Sequence, residues 1–180
     1  MNDEPSFQRP GWTPRVRTGQ RILVIGASGG LGSALVRMLT DGSDCVIGAH
    51  SSSTDPDFDD DEIIPLRRTF EGEADCTAVV DEFVEKAGSI NALVVLSGAI
   101  HFSGHWNDMT EADWTREIDV NLNQPFYLAR TAMRRMKAQG REGGTGGGRI
   151  LLTGTESALH GGSAQSFPYA IAKHGTECMV

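Results

Sequence analysis

Cysteine is scarce in this sequence, and what there is does not pair. Cys45, Cys76 and Cys178 are an odd number at wide spacing with no CxxC, which excludes a disulfide framework or a zinc knuckle and points to a reducing compartment. The five histidines are scattered without an HExxH arrangement, so no metal site is expected. Positive charge is also short: 16 Lys and Arg stand against 24 Asp and Glu, for a formal net charge of −8. A chain this acidic lacks the basic face that a general nucleic-acid binder needs. No run approaches the ~20 apolar residues that span a bilayer, and the opening MNDEPSFQRPGWTPRVRTGQ has no apolar core of a signal peptide. The expectation is a cytoplasmic protein without nucleic-acid or membrane partners.

Glycine, by contrast, is plentiful, with 22 residues. That favours tight turns and close backbone approaches over a plain helical bundle. A length of 180 residues suits one domain, able to bury about two thirds of its unfolded surface. Residues 1–20 mix proline, glycine and charge without periodicity and read as a loose arm, leaving 21–180 as the folded domain. Arg21–Ala27 (RILVIGA) is a short β-branched run bounded by glycine, the mark of a buried strand. The helix expected next places Leu31, Ala34, Leu35, Met38 and Leu39 on one face, with Gly42 as its stop. Further strands are expected at 44–49, 63–66, 91–97 and 149–153. Helices are expected over 74–87, with Val79, Val80, Phe83, Val84 and Ala87 inward, and over most of 110–138.

Thr110 is the N-cap of the second stretch, Asp113 its capping-box partner, and Pro125 demands a break or a helix start near it. Leu128, Ala132, Met133 and Met136 give the helix after that break its apolar stripe. The acidic run from Asp55 to Glu62 reads as a solvated loop, and 140–148, six glycines in nine residues, as a connection. A last helix should start near Phe167 or Pro168. Alternation of this kind implies βαβ units in a doubly wound parallel sheet.

The strongest local pattern is Gly26-Ala27-Ser28-Gly29-Gly30-Leu31-Gly32, set between a strand and an amphipathic helix. A chain turning there brings backbone N–H groups to a helix N-terminus, where a pyrophosphate can approach. At the end of the second strand stands His50-Ser51-Ser52-Ser53, with no carboxylate before Asp55. The missing acid removes repulsion against a 2′-phosphate, and the serines can donate hydrogen bonds to it. No arginine adjoins them in sequence. The lean is toward NADP over NAD, beside the alternative of a polar loop that reads neither strictly.

Tyr169 and Lys173 lie four residues apart, on one face of a helix. A neighbouring ammonium favours the phenolate and is expected to lower the phenol pKa. With these residues in place, the sequence from about Arg21 to Val180 resembles the classical short-chain dehydrogenase/reductase family. Gly26, Gly30 and Gly32 match the family's glycine-rich turn, Asn121 its helix asparagine, and Tyr169 and Lys173 its catalytic pair. Of its Asn-Asn-Ala-Gly segment only Gly98 is kept in Val95-Leu96-Ser97-Gly98. For the family's serine, counting from the fifth strand gives Thr155, while counting back from Tyr169 gives Glu156. Thr155 is preferred, with Ser157 as the fallback.

The resemblance implies a Rossmann-type sheet and an oxidoreductase binding NADP or NAD. It would pass hydride between nicotinamide and a small carbonyl or alcohol substrate. The implied roles are proton transfer for Tyr169, substrate orientation for Thr155, and tuning of the phenol and a hold on the nicotinamide ribose for Lys173. Asn121 would anchor a water in the proton relay. Cofactor contacts would come from Gly26, Ser28, Gly29, Gly30, Leu31, Gly32, His50, Ser51, Ser52, Gly98 and Lys173. Family members run on with two more strands and a substrate lid. The sheet is therefore expected to be truncated after its fifth strand and the start of the following helix. That would leave the fifth strand as an apolar edge for a second copy or another chain to cover, and the chain alone a poor catalyst. The competing reading is a catalytically silent nucleotide-binding or structural fragment.

Overall fold

The computed structural model describes residues 16–53, 58, 61–141 and 147–179. Most of the expected N-terminal arm, of the acidic run and of the glycine stretch lies outside the described residues. The elements alternate as the pattern demands. β1 (Gln20–Ile25), α1 (Gly30–Gly42), β2 (Cys45–Ser51) and β3 (Ile63–Arg67) come first. They are followed by α2 (Glu73–Ala87), β4 (Ala92–Val95), α3 (Glu111–Ile118) and α4 (Gln124–Arg141). β5 (Arg149–Leu152), the short α5 (Ser157–His160) and α6 (Phe167–Glu177) complete the order. The five strands are all parallel in the order β3-β2-β1-β4-β5, so β5 is the edge of the described sheet.

Side chains alternate across the sheet and build two cores. On one face, Leu23, Ile25, Leu93 and Val95 meet Val79, Val80 and Phe83 of α2 and Leu128, Ala132 and Met136 of α4. On the other, Ile22, Val24, Ile47 and Ala49 meet Val36 and Leu39 of α1. Val84 and Ala87 pack at the margin of the first core.

Two expectations are corrected, the apolar face of α1 and the burial of Met133. In α1 the buried line is Gly32, Val36 and Leu39, while Leu31 and Met38 are exposed at 76% and 62%, and Ala34 is exposed as well. The cause is Gly32, where a Cβ would lie 2.1 Å from the Gly26 carbonyl oxygen. The helix must turn its glycine inward to start there, which leaves Leu31 and Met38 outside while Leu39 is buried and Leu35 packs at the margin of the second core. Met133 of α4 is likewise exposed, at 53%. The helix start expected near Pro125 is observed, since α4 begins at Gln124. A π turn at Asp119–Asn123 joins α3 to α4 and leaves the proline in the first turn of α4, where a proline is tolerated.

Candidate active site

The turn after β1 is built around Gly26, whose φ of +83° is open to glycine at little cost. A Cβ there would also press on the backbone of Leu96 and Ser97, its nearest atom 3.0 Å from the Ser97 nitrogen. Downstream, α1 begins with no side-chain cap and no acid in its first turn. The positive end of a 13-residue helix is thus left to an anion.

Gly26, Ser28, His50, Ser52 and Gly98 line one cleft of about 1030 Å3, together with Thr69–Glu71 and the face of α3. Gly29, Gly30, Leu31 and Gly32 are not in its wall. Ser51 is buried behind it, 1% exposed. His50 lies parallel to Phe70 with ring centroids 4.4 Å apart, and its Nε2 is 2.8 Å from the Arg68 carbonyl. Its buried Nδ1 has no partner. Burial holds the His50 pKa below its ordinary value of 6.5, the carbonyl contact opposing and the Arg68 charge adding to that shift.

The absence of an arginine beside the serines is also corrected. β3 pairs with β2 so that Arg67 stands opposite Ser51, and the Arg67 guanidinium donates to the Ser53 carbonyl at 3.1 Å.

At the other end of the cleft floor, Gly98 has φ +155°, and a Cβ on it would sit 3.0 Å from both Asn121 Oδ1 and Lys173 Nζ. Three residues expected in the site therefore converge on one point. Asn121 is fully buried. Its Oδ1 accepts from the Ala99 N–H at 3.2 Å, and its Nδ2 donates to the Ala99 carbonyl at 2.8 Å. Pro125 has no N–H to give the Asn121 carbonyl four residues back, and the Thr176 hydroxyl donates to that carbonyl instead, at 3.0 Å. The π turn and α6 are thereby joined.

Lys173, 1% exposed, places Nζ 5.7 Å from the Tyr169 ring centroid. It donates to Thr153 Oγ1 at 3.4 Å. Desolvation lowers the Lys173 pKa. The Tyr169 phenol is pushed up rather than down, first by burial and then by the Glu117 carboxylate, so the expected lowering by the lysine is not what this arrangement gives.

Thr155 and Ser157 lie in the turn and short helix after β5, and are half-buried. Their carbonyls accept from Ala158 and Gly161, at 3.0 and 2.9 Å. The hydroxyl that the lysine reaches is Thr153, which sequence reasoning passed over because it reads as the last residue of a strand. Glu117 was missed too. Its only mark in the sequence is its place one turn before Asn121.

The short chain dehydrogenase family matches residues 20–180. The chain is 30% identical over 164 residues to the cyclic-di-GMP-binding biofilm dispersal mediator protein of Escherichia coli K12, covering 91% of this chain and 65% of that protein. It is 31% identical over 157 residues to an L-rhamnose 1-dehydrogenase (NAD(P)(+)) of Azotobacter vinelandii, covering 81% and 59%. The chain thus spans roughly 60 to 65% of the length of these relatives. Among solved structures, NADH-dependent reductase A1-R′ complexed with NAD superposes with a TM-score of 0.80 at 23% identity, over 90% of this chain and 70% of that one. The parallel sheet, the glycine turn and the matched residues agree, and the chain belongs to the short-chain dehydrogenase family.

Proposed function

We propose that this chain carries the nucleotide-binding and proton-transfer part of an NAD(P)-dependent oxidoreductase acting on a small carbonyl or alcohol. The observation that carries the proposal is the meeting of Lys173, Asn121 and Gly98, with Tyr169 one helical turn before the lysine. A buried ammonium in structural use would be closely paired, and among the described residues this one holds a single long bond, to a threonine hydroxyl.

The cradle suits a dinucleotide. Gly26 and Gly32 let the chain turn tightly from β1 into α1, the start of α1 is open to a pyrophosphate, and His50 brings an unpaired buried nitrogen to the cleft. Ser52, Ser53 and the neighbouring Arg67 favour a 2′-phosphate, hence NADP over NAD. When bound, the nicotinamide supplies or accepts the hydride.

The chain's own residues then handle the proton. Because burial and Glu117 raise its pKa, Tyr169 holds its proton at neutral pH. In the reducing direction it donates that proton to the carbonyl oxygen while the carbon receives hydride, and the alcohol leaves with both. Lys173, with its Nζ 5.7 Å from the Tyr169 ring centroid, would hold the nicotinamide ribose. Thr155 orients the substrate oxygen, and Asn121 holds the backbone at Ala99 beside it. Cys45 and Cys76 are free and buried, which suits a reducing cytoplasm.

The test pairs calorimetric titration with both nicotinamide cofactors and NADPH oxidation over a panel of small ketones and quinones. NADP should bind more tightly than NAD. Tyr169→Phe should leave that affinity unchanged while lowering any turnover by about 10²–10⁴-fold. Binding of neither cofactor would sink the proposal and leave a silent structural role.

A further inference from the structure

Among the described residues, Glu117 is a fully buried carboxylate, 1% exposed, that enters the account above only as a charge raising the Tyr169 pKa. Burying a charge is costly unless every oxygen is satisfied, and here both are. Oε1 accepts from the backbone N–H groups of His101 and Phe102, the latter at 2.9 Å. Oε2 accepts from Asn121 Nδ2 at 3.1 Å. The chain leaving β4 has no strand partner for those two N–H groups, and α3 provides the acceptor.

We propose that Glu117 is a positioning residue for the Tyr169–Lys173–Asn121 group, fastening the wall of the cleft at Ala99–Phe102 to α3 and fixing the orientation of the Asn121 amide. With Nδ2 turned to the carboxylate and to the Ala99 carbonyl, Oδ1 is left for the Ala99 N–H. A flipped amide would set oxygen against oxygen at three places, the Glu117 backbone carbonyl included. An apolar side chain at 117 would fill the space and hold neither.

The carboxylate also acts on the phenol. Elements packed against α6 carry Glu111, Asp113, Arg116 and Glu117 on α3, Asp119 on the π turn and His160 on α5, and α6 itself carries Lys173 beside the ring. Of these, Glu117 is the charge that opposes ionisation of Tyr169. The inference rests on the proposed role of Tyr169, yet its test needs neither cofactor nor turnover.

The sequence has two tyrosines, so Tyr127→Phe leaves Tyr169 alone to be followed by tyrosinate absorbance against pH. Adding Glu117→Gln should move the midpoint down while amide exchange at His101 and Phe102 stays slow, because Gln keeps one acceptor. Glu117→Ala should speed exchange at those two amides at least tenfold. If Ala fails to fold, the Gln variant decides. An unmoved or raised midpoint in Gln, or unchanged exchange in a folded Ala variant, would overturn the proposal. Failure of cofactor binding with these results intact would count against the function alone.

Discussion

The two faces of the sheet are made from the same strands and finished differently. One is closed by α2 and α4, which bury a continuous cluster from Leu66 across to Val95. The other has α1 over β1 and β2. Beyond that helix an apolar groove of about 790 Å3 runs over β4 and β5, lined by Leu35, Leu39, Ala92, Val94 and Leu151 among others. The difference teaches where the chain's stability resides. Alternation gives each strand two apolar sets, but only a covering helix converts a set into buried area, and that area is what stabilises.

The largest expected effect is therefore on the closed face. Phe83 is fully buried and lies on Gly48, where a Cβ would come within 2.5 Å of its ring. Phe83→Ala should cost about 3–5 kcal/mol by chemical denaturation. Gly48→Ala in that background should return part of it by filling the cavity, although alone it should destabilise by about 1–3 kcal/mol through overpacking. Additive losses in the double variant would break the picture of one ring seated on one glycine.

Next comes the seam between the π turn and α6. Thr176→Val keeps the shape and removes the hydroxyl that serves the Asn121 carbonyl, leaving a buried acceptor unmet. The expected cost is about 1–3 kcal/mol, with accelerated amide exchange around Asn121. No change in either would mean that Pro125 and the π turn satisfy themselves.

What the sequence disclosed divides along similar lines. β1, β4 and the parallel character of the sheet were legible because a parallel strand buried on both faces reads as an unbroken apolar run. α2 was legible because its stripe falls at helical spacing and all of it packs. The stripe of α1 was legible in part, at Leu35 and Leu39, and misled at Leu31 and Met38, because a count of hydrophobicity gives a glycine no weight while the contact at Gly32 decides the rotation. Tyr169, Lys173, Asn121 and Gly98 were legible through resemblance. Glu117, Thr153 and Arg67 were not, since each acts through a partner 14 to 20 residues away in sequence. Nothing local marks an acceptor for a distant loop.

A smaller effect tests the cleft end of the closed face, where His50 stacks on Phe70. Its folded-state pKa is depressed, chiefly by burial, so the unfolded chain binds a proton that the folded one refuses. His50 therefore leaves stability intact above pH 6.5 and removes it as pH falls from there through the folded-state value. Thermal midpoints of the parent and of His50→Phe, compared at pH 7.5 and 5.5, should show a smaller acid loss in the variant. Equal losses would assign the effect to other groups.

The smallest expected change is on the open face, at Leu151. This residue is 52% exposed at the middle of the edge strand, while its neighbours Ile150 and Leu152 turn toward the closed core. Leu151→Lys removes little buried area, so the stability of the chain should move within about 0.5 kcal/mol. Association should move more. An apolar edge strand offers both unpaired backbone groups and a sticky surface, and a lysine is a common means of blocking it. Sedimentation over a concentration series should show the variant monodisperse at concentrations where the parent associates. A destabilisation above about 1 kcal/mol, too large for an exposed site, would mean that Leu151 is covered in solution, and the contrast between the two faces would then disappear.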